Sequence, residues 1–162
     1  MKGLIHMIEI NGFYTQKVFQ SKPDKQLTAS MEDYLEMICR LLQNESTVRI
    51  KELSQLLHVK PSSASKMANN LKEAGLVSFE RYGEIILTEQ GRNVGDYLLR
   101  RHTIVHEFLC LLNGSENELE QTEKMEHFLN ENTVDNLGQL IVKMRRDKNA
   151  YNEAINKIAR GE

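Results

Sequence analysis

The stretch from Arg49 to Thr88 constrains this 162-residue chain more than any other, because its punctuation leaves little choice of local fold. Arg49-Ile-Lys-Glu-Leu-Ser-Gln-Leu-Leu places Ile50, Leu53, Leu56 and Leu57 at helical spacing and predicts a short helix with those residues inward. His58-Val59-Lys60 reads as a turn, and Pro61 stands at a favoured first helical position. Ser62 to Ala74 predicts a second helix with Ala64, Met67, Ala68 and Leu71 on its inner face, closed by Gly75. Two short helices joined by a three-residue turn make a helix-turn-helix, whose second helix enters the major groove of DNA. Leu76 to Arg81, Tyr82-Gly83 and Glu84 to Thr88 then read as two short strands around a glycine turn. A hairpin directly after a helix-turn-helix is a wing.

The outer face of the second helix carries Lys60, Ser62, Ser63, Ser65, Lys66 and Asn69. Small hydroxyls and an amide suit base edges, and the lysines suit phosphates. Taken alone, the same residues also describe an ordinary solvated surface. Arg81 and Tyr82 at the wing tip are placed to meet DNA backbone or minor groove, though hairpin tips are commonly polar. Charge supports the DNA reading. From Arg49 to Arg101 there are nine Lys and Arg against six Asp and Glu, whereas His102 to Glu162 has seven against eleven.

Two prolines and nine glycines in the whole chain favour a mainly helical protein around that small hairpin. Met31, Tyr34, Leu35, Ile38, Leu41 and Leu42 follow one helical stripe, with Ser30 as its expected N-cap. Asp33 and Glu36 lie one turn apart beside it. They are either first-turn acids favoured by the helix dipole or two available carboxylates. Thr88 is expected to cap a long helix to about Leu112, closed by Asn113-Gly114, with Val94, Leu98, Val105, Phe108, Leu109 and Leu112 as its apolar stripe. His102 and His106 lie one turn apart on it.

Further on, Glu116 to Leu129 predicts a helix on which Glu123, Glu126 and His127 share a face. Two carboxylates and an imidazole so placed repel unless a cation sits between them, and oxygen with imidazole suits Mn(II), Fe(II) or Zn(II). Solvated helix faces carry the same residues, so the triad needs partners from elsewhere. Thr133 to Arg146 predicts another helix with Val134, Leu137, Leu140, Ile141 and Met144 inward, and Asp147 to Ile158 a further one. That is more apolar surface than so short a bundle buries alone, which points to a dimer. Cys39 and Cys110 are far apart, without a CxxC partner, and read as reduced buried thiols. No apolar run is long enough for a membrane span, so a cytoplasmic protein is expected. Residues 1–27 form an extension to which the sequence assigns no role.

Three stretches together carry a resemblance: Met31-Glu-Asp33-Tyr-Leu-Glu36, Arg101-His102 and Glu123-x-x-Glu126-His127. From Met31 to about Lys157 the chain resembles the diphtheria-toxin-repressor superfamily of metalloregulators, in its manganese-transport-regulator branch. Lys60-Pro61-Ser62-Ser63 with Lys66 also resembles the start of that branch's recognition helix. The resemblance implies metal ligands at Asp33, Glu36, His102, Glu123, Glu126 and His127, with two Mn(II) ions per subunit and Fe(II) or Zn(II) as alternatives. Iron-responsive relatives carry Met at the position of Asp33 and Cys at that of Glu123, so the harder donor set here favours Mn(II). His106 stands where relatives often have Glu and is an additional candidate ligand.

It further implies a winged helix-turn-helix at 28–100, a helical metal-binding and dimerisation domain at 101–162, and a homodimer on double-stranded operator DNA. Metal would pin one unit to the other, fixing the spacing of the two recognition helices, most simply to repress metal uptake. No organic substrate and no catalytic residue is expected. Two rivals remain at this level: a winged-helix regulator sensing a non-metal ligand, and a helical di-metal carboxylate enzyme.

Overall fold

A computed structural model describes residues 27–43, 47–79 and 83–160, the last eleven by backbone alone. The proposed extension, apart from Leu27, and the wing-tip residues Arg81 and Tyr82 lie outside the described residues. In chain order the elements are α1 (Ala29–Leu42), β1 (Val48–Arg49), α2 (Ile50–Leu56), α3 (Pro61–Glu73), β2 (Val77–Phe79), β3 (Glu84–Leu87), α4 (Glu89–Asn113), α5 (Leu119–Met125), a 3₁₀ turn (Glu126–Phe128) and α6 (Glu131–Arg160). The fold is mainly helical with one small antiparallel sheet, as the composition implies.

Helix α1 starts earlier than its apolar stripe suggests. Thr28, not Ser30, is the N-cap, its hydroxyl accepting from the Met31 N–H at 3.2 Å. Tyr34, Leu35 and Ile38 are buried and pack against α4 and α3. In the helix-turn-helix, Leu53 is buried, but Leu56 is 47% exposed and Ser54 takes the inward place instead. The Ser54 hydroxyl donates to the Lys51 carbonyl, so its burial leaves no unpaired donor. The turn reverses through His58 at φ 52°, a left-handed conformation that histidine tolerates better than most residues. Lys60 is the N-cap of α3 and Pro61 its first residue, while Gly75 stands just past its end at φ 76°.

The wing hairpin pairs Val77 with Leu87 and Phe79 with Ile85. A third strand, β1, adds to the other edge of β3 through Val48–Ile85 and Arg49–Glu84. Arg49 is therefore a strand residue rather than the first residue of the helix, and its guanidinium donates to Glu84 at 2.8 Å.

Thr88 caps α4, accepting from the Gly91 N–H at 2.9 Å and donating to the carbonyls of Gly75 and Leu76. The helix runs unbroken to Asn113, where Gly114 adopts φ 63°. Two glycines let its first turns approach the rest. A Cβ on Gly91 would lie 1.8 Å from the Leu76 carbonyl oxygen, and one on Gly95 would lie 2.0 Å from Cys39 Sγ. Leu98, Val105 and Leu109 are buried, whereas Leu112 is 60% exposed.

The C-terminal half departs most from the periodicity reading. The helix carrying the Glu/His triad is only seven residues long and tightens into the 3₁₀ turn at Glu126. The two expected final helices are one continuous helix, α6, packed on α4. Val134 and Ile141 face inward as expected, but Leu140 is exposed together with Val142. Cys39 is buried and Cys110 half-buried, both unpaired.

Candidate metal centre

Three elements distant in sequence meet in one polar pocket: the first turns of α1, the middle of α4, and the junction of α5 with the 3₁₀ turn. The stripe of α1 sets which acids arrive there. Tyr34, Leu35 and Ile38 face the core, so Glu32, Asp33 and Glu36 are carried to its flank toward α4. On α4, Leu98 and Val105 fix the inward face, and Arg101 and His102 between them are turned into the same interior.

The group divides into two linked parts. In the first, one ligand atom each from Glu36, His102 and Glu126 all lie within 4.8 Å of one another. His102 Nδ1 is 3.0 Å from Glu126 Oε2, 3.7 Å from Glu36 Oε1 and 3.8 Å from Glu123 Oε1. Glu126 is 1% exposed. Glu36 also accepts from Arg40 at 2.5 Å, one turn on in α1. In the second part, His127 Nε2 is 3.0 Å from Asp33 Oδ1, and its Nδ1 is 2.8 Å from Glu32 Oε2. That Glu32 oxygen also accepts from Arg101 Nη2 at 2.7 Å.

All six residues proposed as ligands therefore reach the pocket, but Glu123, Glu126 and His127 do not share one α-helical face. At the 3₁₀ turn the rotation per residue rises from about 100° to about 120°. Glu126 consequently faces His102, and His127 faces α1. His106 is set beside the group: its Nε2 takes the Glu118 N–H at 3.3 Å, its ring stacks on His102 at 6.4 Å, and Cys110 Sγ lies 3.8 Å away.

Glu32 and Arg101 are the site residues that sequence reasoning passed over. Arg101 carried a signal, since it interrupts the Leu98–Val105 apolar stripe three residues after Leu98 and is only 2% exposed. Glu32 carried none, being one more acid in a helix's first turn.

The electrostatics of the pocket fit a cation. Five carboxylates converge there against the guanidiniums of Arg40 and Arg101. Burial raises the pKa of Asp33, an effect that His127 offsets and that Glu126 and Glu32 reinforce. Burial likewise raises Glu123, with Glu126 adding to it. The hydrogen bond that His102 donates to Glu126 raises the His102 pKa against the opposing effect of burial. Acids forced upward and a histidine drawn toward its charged form mark a site short of positive charge. Carboxylate oxygens with imidazole nitrogens are donors for a divalent metal of the Mn(II) to Zn(II) series.

Lys60 at the N-cap and Pro61, Ser62, Ser63, Lys66 and Asn69 on α3 are exposed, and Ser65 is half-buried. Lys60 makes no side-chain cap at this end: its carbonyl accepts from the Ser63 and Ala64 N–H groups, and Pro61 fills the first helical position without an N–H of its own.

A winged helix-turn-helix joined by one long helix to a second helical unit, with an acid-and-imidazole cluster at their meeting point, defines a metal-dependent DNA-binding regulator. The comparisons agree. Residues 26–85 match the family described as "Iron dependent repressor, N-terminal DNA binding domain", and residues 88–152 match its "metal binding and dimerisation domain". The chain belongs to the iron-dependent repressor family. It is 34% identical over 122 residues to the HTH-type transcriptional regulator MntR of Geobacillus kaustophilus, covering 75% of this chain and 86% of that one. With the MntR of Oceanobacillus iheyensis it shares 35% over 115 residues, 70% of this chain and 78% of the relative. A solved structure described as a manganese-dependent transcriptional repressor complex with manganese superposes with a TM-score of 0.62 at 27% identity, over 68% of this chain. The chain spans about half the length of that solved relative, 52%.

The protein is thus a transcriptional regulator rather than an enzyme, and the reading as a helical di-metal carboxylate enzyme falls away. Leu112, Leu119, Phe128, Leu140 and Val142 leave exposed apolar surface across the family's dimerisation region. No helix among the described residues is long and apolar enough to cross a membrane.

Proposed function

We propose that this protein is a manganese-responsive repressor of metal-uptake genes that binds operator DNA as a homodimer in the cytoplasm. The observation that carries the reading is the convergence of Glu36 from α1 with His102 from α4 and Glu126 from the 3₁₀ turn, their donor atoms within 4.8 Å. Asp33, Glu123 and His127 complete the proposed ligand set, which on this reading takes two ions per subunit. The donors are all oxygen or imidazole nitrogen, which favours Mn(II) over the softer ligation that Cys or Met would give Fe(II). The matched solved structure is described as a manganese-dependent transcriptional repressor, in keeping with that choice.

The DNA-binding unit is taken as residues 28–100 and the metal-binding and dimerisation unit as 101–162. Lys60, Ser62, Ser63, Ser65, Lys66 and Asn69 form the groove-facing surface behind Pro61, with Arg81 and Tyr82 on the wing. A bound divalent cation supplies the positive charge that lets Asp33 and Glu36 sit against Glu123 and Glu126 without mutual repulsion. Asp33 and Glu36 thereby hold α1, and with it the helix-turn-helix, at one angle to the dimer unit. Two recognition helices at one separation match successive major-groove faces, and the pre-ordering raises DNA affinity.

DNA binding by the purified protein, measured against Mn(II), Fe(II), Zn(II) and chelator, tests the reading. Operator affinity should rise at least tenfold with Mn(II) at micromolar concentrations. Equal affinity in chelator and in Mn(II) would sink it.

A further inference from the structure

We propose that Glu32, held by Arg101, is the positioning residue that orients His127 for metal binding, and is not itself a ligand. The inference rests on the metal-dependent reading above and concerns how the pocket is pre-set. Glu32 Oε2 lies 2.7 Å from Arg101 Nη2 and 2.8 Å from His127 Nδ1. A carboxylate at both distances is an acceptor from both neighbours, since arginine only donates. The Nδ1 atom therefore carries the hydrogen. The 3.4 Å contact between Arg101 Nη2 and His127 Nδ1 is then two donors flanking one oxygen rather than a bond between them.

With Nδ1 committed to Glu32, the ring is locked about its Cβ–Cγ bond and its Nε2 faces Asp33 Oδ1 at 3.0 Å. That is the nitrogen a metal shared with Asp33 would need. A carboxylate behind a ligating histidine fixes the ring's tautomer and orientation, and its loss typically costs ten- to a hundredfold in metal affinity.

Arg101 completes the device. Its side chain is 3% exposed, and among the described residues its Nε has no hydrogen-bond partner. A buried guanidinium with one donor left unpaired is costly, and the compensation is the close contact with Glu32. Arg101 neutralises Glu32 and ties up the Oε2 that would otherwise be one more ligand oxygen. Glu32 comes from α1, whereas Arg101 and His127 come from α4 and the 3₁₀ turn. The same contact thus fastens α1 across 69 residues of sequence independently of any metal.

The test compares Glu32→Met, which fills the volume without an acceptor, with Glu32→Gln, which keeps one. Mn(II) affinity is measured by calorimetry, and the His127 ring nitrogens are read by ¹⁵N NMR in the metal-free full-length protein. Glu32→Met should bind Mn(II) ten- to a hundredfold more weakly and lose the hydrogen-bonded Nδ1–H signal, whatever Asp33 holds at Nε2. Glu32→Gln should keep the hydrogen-bonded Nδ1–H and lose less than tenfold. If Glu32→Met fails to fold because Arg101 is left unpaired, the double variant Glu32→Met/Arg101→Met removes the pair together, with the same expectation. Wild-type affinity in the variant lacking the acceptor, or equal losses in Met and Gln variants, overturns the proposal. If the unsubstituted protein binds no Mn(II), the metal reading fails instead, and the His127 nitrogen signals still report whether Glu32 orients the ring.

Discussion

His102 Nδ1 and Glu126 Oε2, both on buried residues, lie 3.0 Å apart and join α4 to a turn 24 residues further along the chain. In the absence of a cation the two satisfy each other, so the pocket is closed by its own residues.

Replacing Glu126 by Gln keeps the volume and an acceptor but removes the charge that would hold a cation. Mn(II) affinity should fall by at least about tenfold, the scale already reached by groups one layer removed from a metal. A ligand at a hundredfold excess over its Kd stabilises a protein by about 2.7 kcal/mol. Thermal unfolding with and without Mn(II) should therefore show a Tm rise in the natural sequence that Glu126→Gln largely lacks.

Acid should stabilise the metal-free protein over the mildly acidic range. The His102 pKa is raised above its ordinary 6.5, chiefly by the Glu126 hydrogen bond, so its contribution is complete below 6.5 and lost as pH climbs through the folded value. Asp33 and Glu123 are raised by burial from 3.8 and 4.5, so each carboxylate destabilises the fold when ionised, and that cost is relieved as pH falls through its folded value. All three act in one direction. In chelator, Tm should rise as pH is lowered from about 8 toward 5.5, while Mn(II) affinity falls over the same range because protons compete for the ligands. A chelator-treated Tm that drops steadily on acidification would contradict the pocket's charge balance.

Lys66 is exposed on α3, and on the proposed DNA-binding surface it would meet a phosphate rather than a base. Lys66→Ala should weaken binding to operator and unrelated DNA alike and reduce the slope of log affinity against log salt by about 1. Fluorescence anisotropy across a salt series reads both. A loss confined to the operator would mean that Lys66 reads sequence instead.

Gly91 lies where α4 crosses the strand entry, and an added Cβ would fall 1.8 Å from the Leu76 carbonyl oxygen. That oxygen is backbone and already accepts from Thr88, so it cannot swing aside. Gly91→Ala should cost about 2–3 kcal/mol, as overpacking in a closed contact does. Urea unfolding should show the midpoint drop, and an unchanged midpoint would mean that α4 can shift at its N-terminus.

Much was legible in the residues themselves. Pro61, Gly75 and the apolar spacing of Ala64, Ala68 and Leu71 specify α3, Thr88 and Gly114 bound α4, and the six donor types stand in the chain for anyone counting turns. These features are local: capping, proline geometry and a 3.6-residue period act over a few residues and leave their mark in order. Strand β1 is two residues long and exists because Val48 and Arg49 pair with β3, so no pattern could announce it. Only the fold decided that Leu56, Leu112 and Leu140 face outward, because helical spacing says which residues share a side and not what covers it.

The same division runs through the site. The sequence by itself determined that carboxylates and imidazoles were present in numbers that suit a divalent cation. Tertiary structure decided which of them meet: the 3₁₀ turn sent Glu126 to His102 and His127 to Glu32 and Asp33, the last of these contacts closing 94 or more residues of chain. Burial of Arg101 against Glu32 is likewise a product of packing α1 on α4, since an ion pair across 69 residues has no period to read.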